Sequence, residues 1–277
     1  MIFSGLLQNM APQVTSWDEV ARMSEKTDRE TGGFWYTMFA VLDDDDDAVY
    51  YGQLTIPQVD ITLEQLTAAL SPLPDEILYP GWPTCDVQLT QAPENLPADI
   101  YIKRPDVEMY SVFRDHNVLH LISAQLLQEA KTMQFLSQHT HPNIIRFHGC
   151  RVRRGHITGL IFNRHPYDLN DHLKNNIGPV LKEPFMEALG SAVNHLHSLG
   201  WAHNDLNPTN IMVNANGMPV LIDFGSAMPV GEKLGTSRGN EKWIEGSMAD
   251  YDTSETSHDA FALEKIREWL EEMTLNR

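Results

Sequence analysis

The stretch His203-Asn204-Asp205-Leu206-Asn207-Pro208-Thr209-Asn210 constrains this chain more than any other. Two segments with readable patterns flank it. Before it, Phe185, Leu189, Val193 and Leu196 recur at i, i+4, i+8 and i+11, the apolar face of one helix. After it, Ile211-Met212-Val213 and Val220-Leu221-Ile222 enclose the turn residues Asn214-Ala215-Asn216-Gly217, a hairpin pattern that leads into Asp223-Phe224-Gly225. A helix must therefore pass the chain to a short polar loop, and the hairpin that follows must carry a carboxylate at its exit.

What surrounds this core is bounded by composition. The 277 residues, 42% of them hydrophobic, suffice for one large domain or two small ones. The formal charge of −18 is uneven: residues 1–85 hold 14 acids and 3 bases, net −11, and residues 86–277 hold 24 acids and 17 bases, net −7. An acidic surface repels phosphate backbones and anionic lipid, which argues against nucleic acid and membrane as partners. Cys85 and Cys150 lack metal-ligand spacing and read as two reduced thiols. No basic n-region opens the chain, and the longest apolar stretch, Phe34 to Leu42 broken by Thr37, is too short to span a bilayer. The expectation is a cytoplasmic or nuclear protein without signal peptide or transmembrane segment.

In the N-terminal part, Trp17 to Lys26 reads as a short helix capped by Ser16. Phe34 to Leu42 and Tyr50 to Ile56 read as strands around Asp43 to Asp47, five adjacent carboxylates that repel one another and read as a solvated loop, with a metal or basic-partner site as the alternative. Thr62 or Asp60 is placed to cap a helix over Leu63 to Leu70, ended by Ser71-Pro72-Leu73-Pro74. Prolines make residues 71–98 irregular, and the boundary between an N-terminal α+β extension, residues 1–85, and a second domain, residues 86–277, is expected there.

His-x-Asp-Leu-x-Pro-x-Asn, a hairpin and then Asp-Phe-Gly resemble the catalytic loop and metal-binding motif of the protein kinase family. Asp205 precedes Asn210 by five positions and Asn210 precedes Asp223 by thirteen, separations similar to that family's. The resemblance implies an α+β, bilobal protein kinase-like fold, with an N-lobe over about 86–162 and a C-lobe over about 168–277. It implies an ATP- and Mg²⁺-dependent phosphotransferase, with Asp205 as catalytic base or hydroxyl-orienting group and Asn210 and Asp223 as oxygen ligands of Mg²⁺. Carboxylate and amide oxygens without nearby sulfur also suit a hard cation on chemical grounds.

Asp99 to Pro105 alternates like a strand and ends apolar-x-apolar-Lys, so the same resemblance makes Lys103 the lysine that holds the α and β phosphates. In Ser123 to Gln138, Leu126, Glu129, Met133 and Leu136 fall at i, i+3, i+7 and i+10, which puts Glu129 on a buried stripe. A buried carboxylate needs a partner, and Lys103 is the natural one. Ile144 to Val152 and His156 to Phe162, joined by Arg153-Arg154-Gly155, read as a hairpin; the resemblance implies that Asn163 to Tyr167, which follow it, form the hinge beside adenine. His165 and His172 are expected at the surface. By resemblance, His203 packs beneath the loop, Phe224 turns inward and Asp259 braces the loop backbone.

The departures are as informative. Asn204 replaces the arginine before the catalytic aspartate, so a loop phosphate lacks its usual cation. Asn207 stands where most serine/threonine kinases carry a lysine. No Gly-x-Gly-x-x-Gly precedes Lys103, although Asp86 to Thr90 reads as a strand, and fewer backbone N–H groups are expected at the phosphates. No Ala-Pro-Glu follows Gly225, and the C-lobe is expected to be truncated. The resemblance covers roughly residues 99–272 and is greatest to the small kinase-like proteins of filamentous fungi. It points to a serine/threonine protein kinase with a protein substrate or partner; a pseudokinase or binding scaffold, and a small-molecule kinase, are the alternatives.

Overall fold

The computed structural model describes residues 12–28, 30–83, 88–235 and 238–275. The chain forms two compact units. The first comprises Met1–Pro83, Arg104–Ala124 and Val152–Thr158, and the second Thr84–Lys103, Gln125–Arg151 and Gly159–Arg277. Among the described residues no helix is long and apolar enough to cross a membrane.

In the first unit, strands β1 (Val20–Thr27), β2 (Phe34–Leu42), β3 (Val49–Leu54) and β4 (Ser71–Pro72) form an antiparallel sheet in that order. Helix α1 (Leu63–Ala69) joins the last two and opens on a capping box, Thr62 and Gln65 each bonding the other's backbone N–H. Its Leu66 packs into a core with Phe39, Val41, Tyr50, Ile61 and Leu70. Two short helices, α2 (Asp75–Leu78) and α3 (Tyr110–Asp115), complete the unit.

Two expectations fail here. The Ser16 cap is present, with Glu19 bonding back, but it starts only one 3-10 turn over Trp17–Glu19 before the chain becomes β1. Without an apolar i, i+4 stripe a ten-residue segment has little to hold it helical, and pairing of residues 20–27 with β2 decides its conformation. The acidic run is also not wholly solvated, because Asp47 is fully buried. Arg104 donates to its Oδ1 through Nε at 3.1 Å and Nη2 at 2.9 Å, and Thr158 Oγ1 donates to its Oδ2 at 2.6 Å. Tyr79 donates its hydroxyl to the Asp47 carbonyl at 2.7 Å. These partners lie 32 to 111 residues away in sequence, where no local pattern reveals them.

Asp47→Ala leaves the Arg104 guanidinium and the Thr158 hydroxyl without this carboxylate, and puts a β-carbon with no polar compensation at φ 63°. A loss of about 2–4 kcal/mol is expected, read as a fall of roughly 5–10 °C in the thermal midpoint. An unchanged midpoint would mean that the ion pair is absent in solution.

The second unit contains β5 (Ile100–Lys103) and, from Gln125 onwards, helix α4 (His120–Ser137), whose buried face carries Leu126, Glu129, Met133 and Leu136. Strands β6 (Phe147–Arg153) and β7 (His156–Asn163) form a hairpin with Arg154 and Gly155 at φ 46° and 74°, the positive pair that a tight two-residue turn requires. The sheet order is β5-β7-β6, with Tyr101 opposite Phe162 and Lys103 opposite Leu160. Helix α5 (Leu169–Lys174) starts at the Asp168 cap. Helix α6 (Lys182–Ser198) buries Phe185, Leu189, Val193 and Leu196 completely. There follow β8 (Trp201–Ala202), the hairpin β9 (Ile211–Val213) and β10 (Pro219–Leu221), β11 (Met228–Pro229) paired with β8, and α7 (Thr256–Leu275).

The residues before β5 run along the opposite edge of its sheet. Cys150 N donates to Thr90 O at 2.8 Å and Ala92 N to Cys150 O at 2.9 Å, a parallel bridge between Gln91 and β6. Gly149, at φ 125°, permits this approach, since a β-carbon there would stand 2.7 Å from Ala92 N. Among the described residues β5 is thus an edge strand of its sheet. Of the strand expected over Asp86 to Thr90, Gln88 to Thr90 form none and the bridge falls one residue later, at Gln91; Cys85, Asp86 and Val87 lie outside the described residues. Cys150 is a free thiol, pushed up to about 12 by burial.

Candidate functional site

The loop after β8 is held from beneath by α7. Asp259, fully buried, accepts the His203 backbone N–H at 2.8 Å and His197 Nε2–H at 2.9 Å on Oδ2, and the Asn204 N–H at 2.9 Å on Oδ1. The buried His203 ring accepts the Asp205 N–H on Nδ1 at 3.3 Å, so its Nε2 carries the hydrogen donated to Ile222 O at 3.0 Å. Phe224 packs edge-on against that ring at 5.1 Å and is itself fully buried.

Asn204 occupies the left-handed region at φ 61°, a conformation asparagine tolerates. Its buried Nδ2 donates to Ala202 O at 3.0 Å, Ser226 O at 3.2 Å and Ser254 Oγ at 3.0 Å, and its Oδ1 accepts from His258 Nδ1 at 3.1 Å. Its carbonyl accepts the Tyr251 hydroxyl at 2.9 Å and the Gly239 N–H at 3.0 Å. A neutral amide therefore ties the loop to residues after Gly225, at the position where the resemblance implied a cation waiting for phosphate.

Asp205 projects between two amides. Asn207 Nδ2 donates to its Oδ1 at 3.1 Å and Asn210 Nδ2 to its Oδ2 at 3.0 Å, and the same amides bond its backbone carbonyl at 3.1 and 2.8 Å. Asn207 is in turn fixed by Thr209, whose N–H and Oγ1–H reach its Oδ1 at 2.9 and 2.6 Å. Burial raises the Asp205 pKa above that of a solvated aspartate, and the amide bonds from Asn210 and Asn207 offset only part of the shift.

Lys103 bridges two carboxylates: its Nζ lies 2.7 Å from Glu129 Oε1 and 2.9 Å from Asp223 Oδ1. Burial alone would push the ammonium towards neutrality, but Glu129 and Asp223 outweigh it and raise its pKa. Burial raises Glu129, and the Lys103 charge and the Phe224 backbone pull it part of the way back. At Asp223 burial is overcome by Lys103, and the pKa is lowered. Asp223 stands at φ 59°, held by the Gly225 N–H on Oδ1 at 3.3 Å.

These groups line a cavity of about 350 Å³ with an apolar side formed by Tyr101, Ile145, Phe162, Met212 and Ile222. Of the loop, Thr209 lines this cavity, and Asp205 and Asn210 are not part of its lining. A larger cavity of about 660 Å³, lined by Met133, Arg146 and Asn214 among others, includes neither Glu129 nor Asp223, so size does not identify the site. His165, expected at the surface, is half-buried in the wall of the smaller cavity, and burial lowers its pKa. His172 is buried as well, its Nε2 lying 3.1 Å from Gly178 O; helix α5 turns it inward to close the segment that follows.

No group of three or more His, Cys, Asp or Glu side chains suited to a metal forms among the described residues. What is present fits a hard cation that completes its shell with water and phosphate. Lys103 and the Gly225 N–H both bond Asp223 through Oδ1, and Asn210 uses its amide nitrogen on Asp205, so Asp223 Oδ2 and Asn210 Oδ1 are the oxygens that would hold it.

A family model described as protein kinase domain matches residues 108–264, more than half of the chain. The matched stretch contains Glu129, Asp205, Asn210, Asp223 and Asp259 and starts after Lys103. Relatives include serine/threonine-protein kinase CHK1 of Saccharomyces cerevisiae, 34% identical over 101 residues, which are 35% of this chain and 19% of that kinase. Serine/threonine-protein kinase Tao of Drosophila melanogaster is 34% identical over 100 residues, 35% of this chain and 10% of the fly protein. CBL-interacting protein kinase 9 of rice is 27% identical over 114 residues, 40% of this chain and 24% of that protein. The matches thus span a quarter or less of these relatives' own length. With a mixed α and β architecture and the family match over more than half its residues, the chain belongs to the protein kinase domain family.

Proposed function

We propose that this site transfers a phosphoryl group from ATP, with Mg²⁺, to serine or threonine hydroxyls of a protein. Residues 86–277 are the kinase-like part in this reading and residues 1–85 its N-terminal extension. The observation that carries the proposal is the Lys103 ammonium bound to Glu129 at 2.7 Å and Asp223 at 2.9 Å inside the cavity that Thr209 of the loop also lines. Lys103 neutralises the α and β phosphates and Glu129 fixes its position. Asn207 and Asn210 aim the Asp205 carboxylate, whose raised proton affinity suits it to take the proton of the attacking hydroxyl. That oxygen bonds to the terminal phosphorus as the bond from phosphorus to the bridging oxygen breaks, and the diphosphate leaves with the electron pair. Mg²⁺ on Asn210 and Asp223 would neutralise the triphosphate.

The test is the thermal midpoint with and without saturating ATP and Mg²⁺, in wild type and Asp223→Ala. Ligand at 100 times its dissociation constant stabilises by about 2.7 kcal/mol, a rise of roughly 5–10 °C. A metal-dependent rise that Asp223→Ala abolishes supports the proposal. No rise under any condition favours the second reading, a binding scaffold. The scaffold has one observation on its side: among the described residues β5 is an edge strand, with residues 90–92 bonded to β6 at the far edge of the sheet, so that segment contributes no N–H groups to phosphates.

A further inference from the structure

We infer that Asp47 is a positioning residue for Lys103: through Arg104 and Thr158 its carboxylate closes the open end of the strand that carries the lysine. The phosphate role of Lys103 rests on the reading above; the closure does not. Lys103 is the last residue of β5 and pairs with Leu160 of β7. Among the described residues β5 has no neighbour on its other side. A residue that ends an edge strand is held by one ladder only, and such ends fray at little cost in free energy. Yet the Lys103 ammonium has to stay within hydrogen-bond distance of both Glu129 and Asp223.

Asp47 supplies the missing hold. Arg104, the residue after Lys103, donates to Asp47 Oδ1 through Nε at 3.1 Å and Nη2 at 2.9 Å. Thr158, two residues before Leu160, donates to Oδ2 at 2.6 Å. One carboxylate thus grips both chains just past their last paired residues, and a ring of peptide and hydrogen bonds runs from Lys103 through Arg104, Asp47 and Thr158 to Leu160 and back. Two donors of one planar guanidinium fix its direction. Asp47 is fully buried, which strengthens these bonds, and the Tyr79 hydroxyl on its carbonyl at 2.7 Å holds the backbone from which it projects. Asp44 also bonds Arg104, at 3.1 Å, but its side chain is 83% exposed, so water screens that pair. Asp47 and Arg104 lie outside the residues that match the family model. The clip is therefore this chain's own device for its lysine.

Competitive labelling of the full chain with an amine-reactive ester tests this without any nucleotide. Glu129 and Asp223 keep Lys103 as an ammonium, which does not react, so wild-type Lys103 should label far more slowly than the exposed Lys242. Asp47→Ala and Arg104→Ala should raise the Lys103 rate relative to Lys242 by about tenfold, as a pKa lower by one gives about ten times more free amine. Arg104→Lys, which keeps the charge, should stay nearer to wild type. Thr158→Val removes one hydrogen bond at constant shape and should raise the rate by about three- to tenfold; it decides the matter should Asp47→Ala fail to fold. Leu66→Ala, in the core beneath α1, lowers the thermal midpoint too and should leave the Lys103 rate unchanged. A rate that stays at the wild-type value in Asp47→Ala and Thr158→Val, or that rises as much in Leu66→Ala, overturns the inference, since the carboxylate would then serve stability alone. With Mg²⁺ present, Asp47→Ala should also weaken ATP by about tenfold and leave adenosine, which has no phosphate, unchanged. A raised labelling rate with ATP affinity unaltered, or with no ATP binding in wild type, supports the clip and overturns the phosphate role given to Lys103 above.

Discussion

Asp205→Ala is expected to lower phosphotransfer by about 10²- to 10⁴-fold, the range for removal of a positioned base, while the protein stays folded and its ATP-dependent thermal shift persists. The reason for the separation is local. Asn207 and Asn210 bond the Asp205 carboxylate, but the same amide nitrogens also bond its backbone carbonyl at 3.1 and 2.8 Å. Alanine removes the carboxylate and keeps that carbonyl, so the loop retains its shape. Steady-state kinetics on a generic serine/threonine peptide mixture, with the thermal shift alongside, checks both halves. The pH profile adds a sign. Burial raises the Asp205 pKa above the 3.8 of a solvated aspartate, so kcat/KM should rise with pH through a limb above that value and then level off. A limb at or below 3.8 would remove Asp205 from the role of base. If biological function survives Asp205→Ala, the scaffold reading gains.

Asp259→Ala should have the largest effect on stability. Its side chain is fully buried and accepts two backbone N–H groups and the His197 ring. Deleting it strands those donors away from water at about 1–3 kcal/mol each, about 4 kcal/mol together, or on the order of 10 °C in the thermal midpoint. Asp259→Asn keeps the shape but turns an amide NH₂ towards one of the backbone donors, so it should recover less than half of the loss. Hydrogen exchange at residues 203–210 separates a local from a general effect: the loop amides should lose protection before those of α6. An unchanged exchange rate at His203 and Asn204 would contradict the bracing geometry.

The local patterns foretold more of the second unit than of the first. The helix face of Phe185, Leu189, Val193 and Leu196 and the hairpin around Asn214 to Gly217 were legible because side-chain periodicity and turn chemistry act within a few residues. The pairing of Glu129 with Lys103 was legible because a carboxylate on an apolar helix stripe must find a cation. The Ser16 cap was equally visible, yet it signalled one turn and not a helix, since pairing with β2 outweighed it. His172 read as a surface residue because its acceptor, Gly178 O, depends on how the chain turns after α5.

The sequence by itself determined the loop, its hairpin and acids, and through them the protein kinase family. Tertiary structure alone decided that Asp47 is buried against Arg104 and Thr158, that Asn204 bonds Ser226, Ser254 and His258, and that residues 90–92 run beside β6 and leave β5 at the sheet edge. The physical reason is the same in each case. Whether a polar group can be buried depends on the partner that replaces water, and these partners come from segments 22 to 111 residues away, beyond the reach of any periodicity.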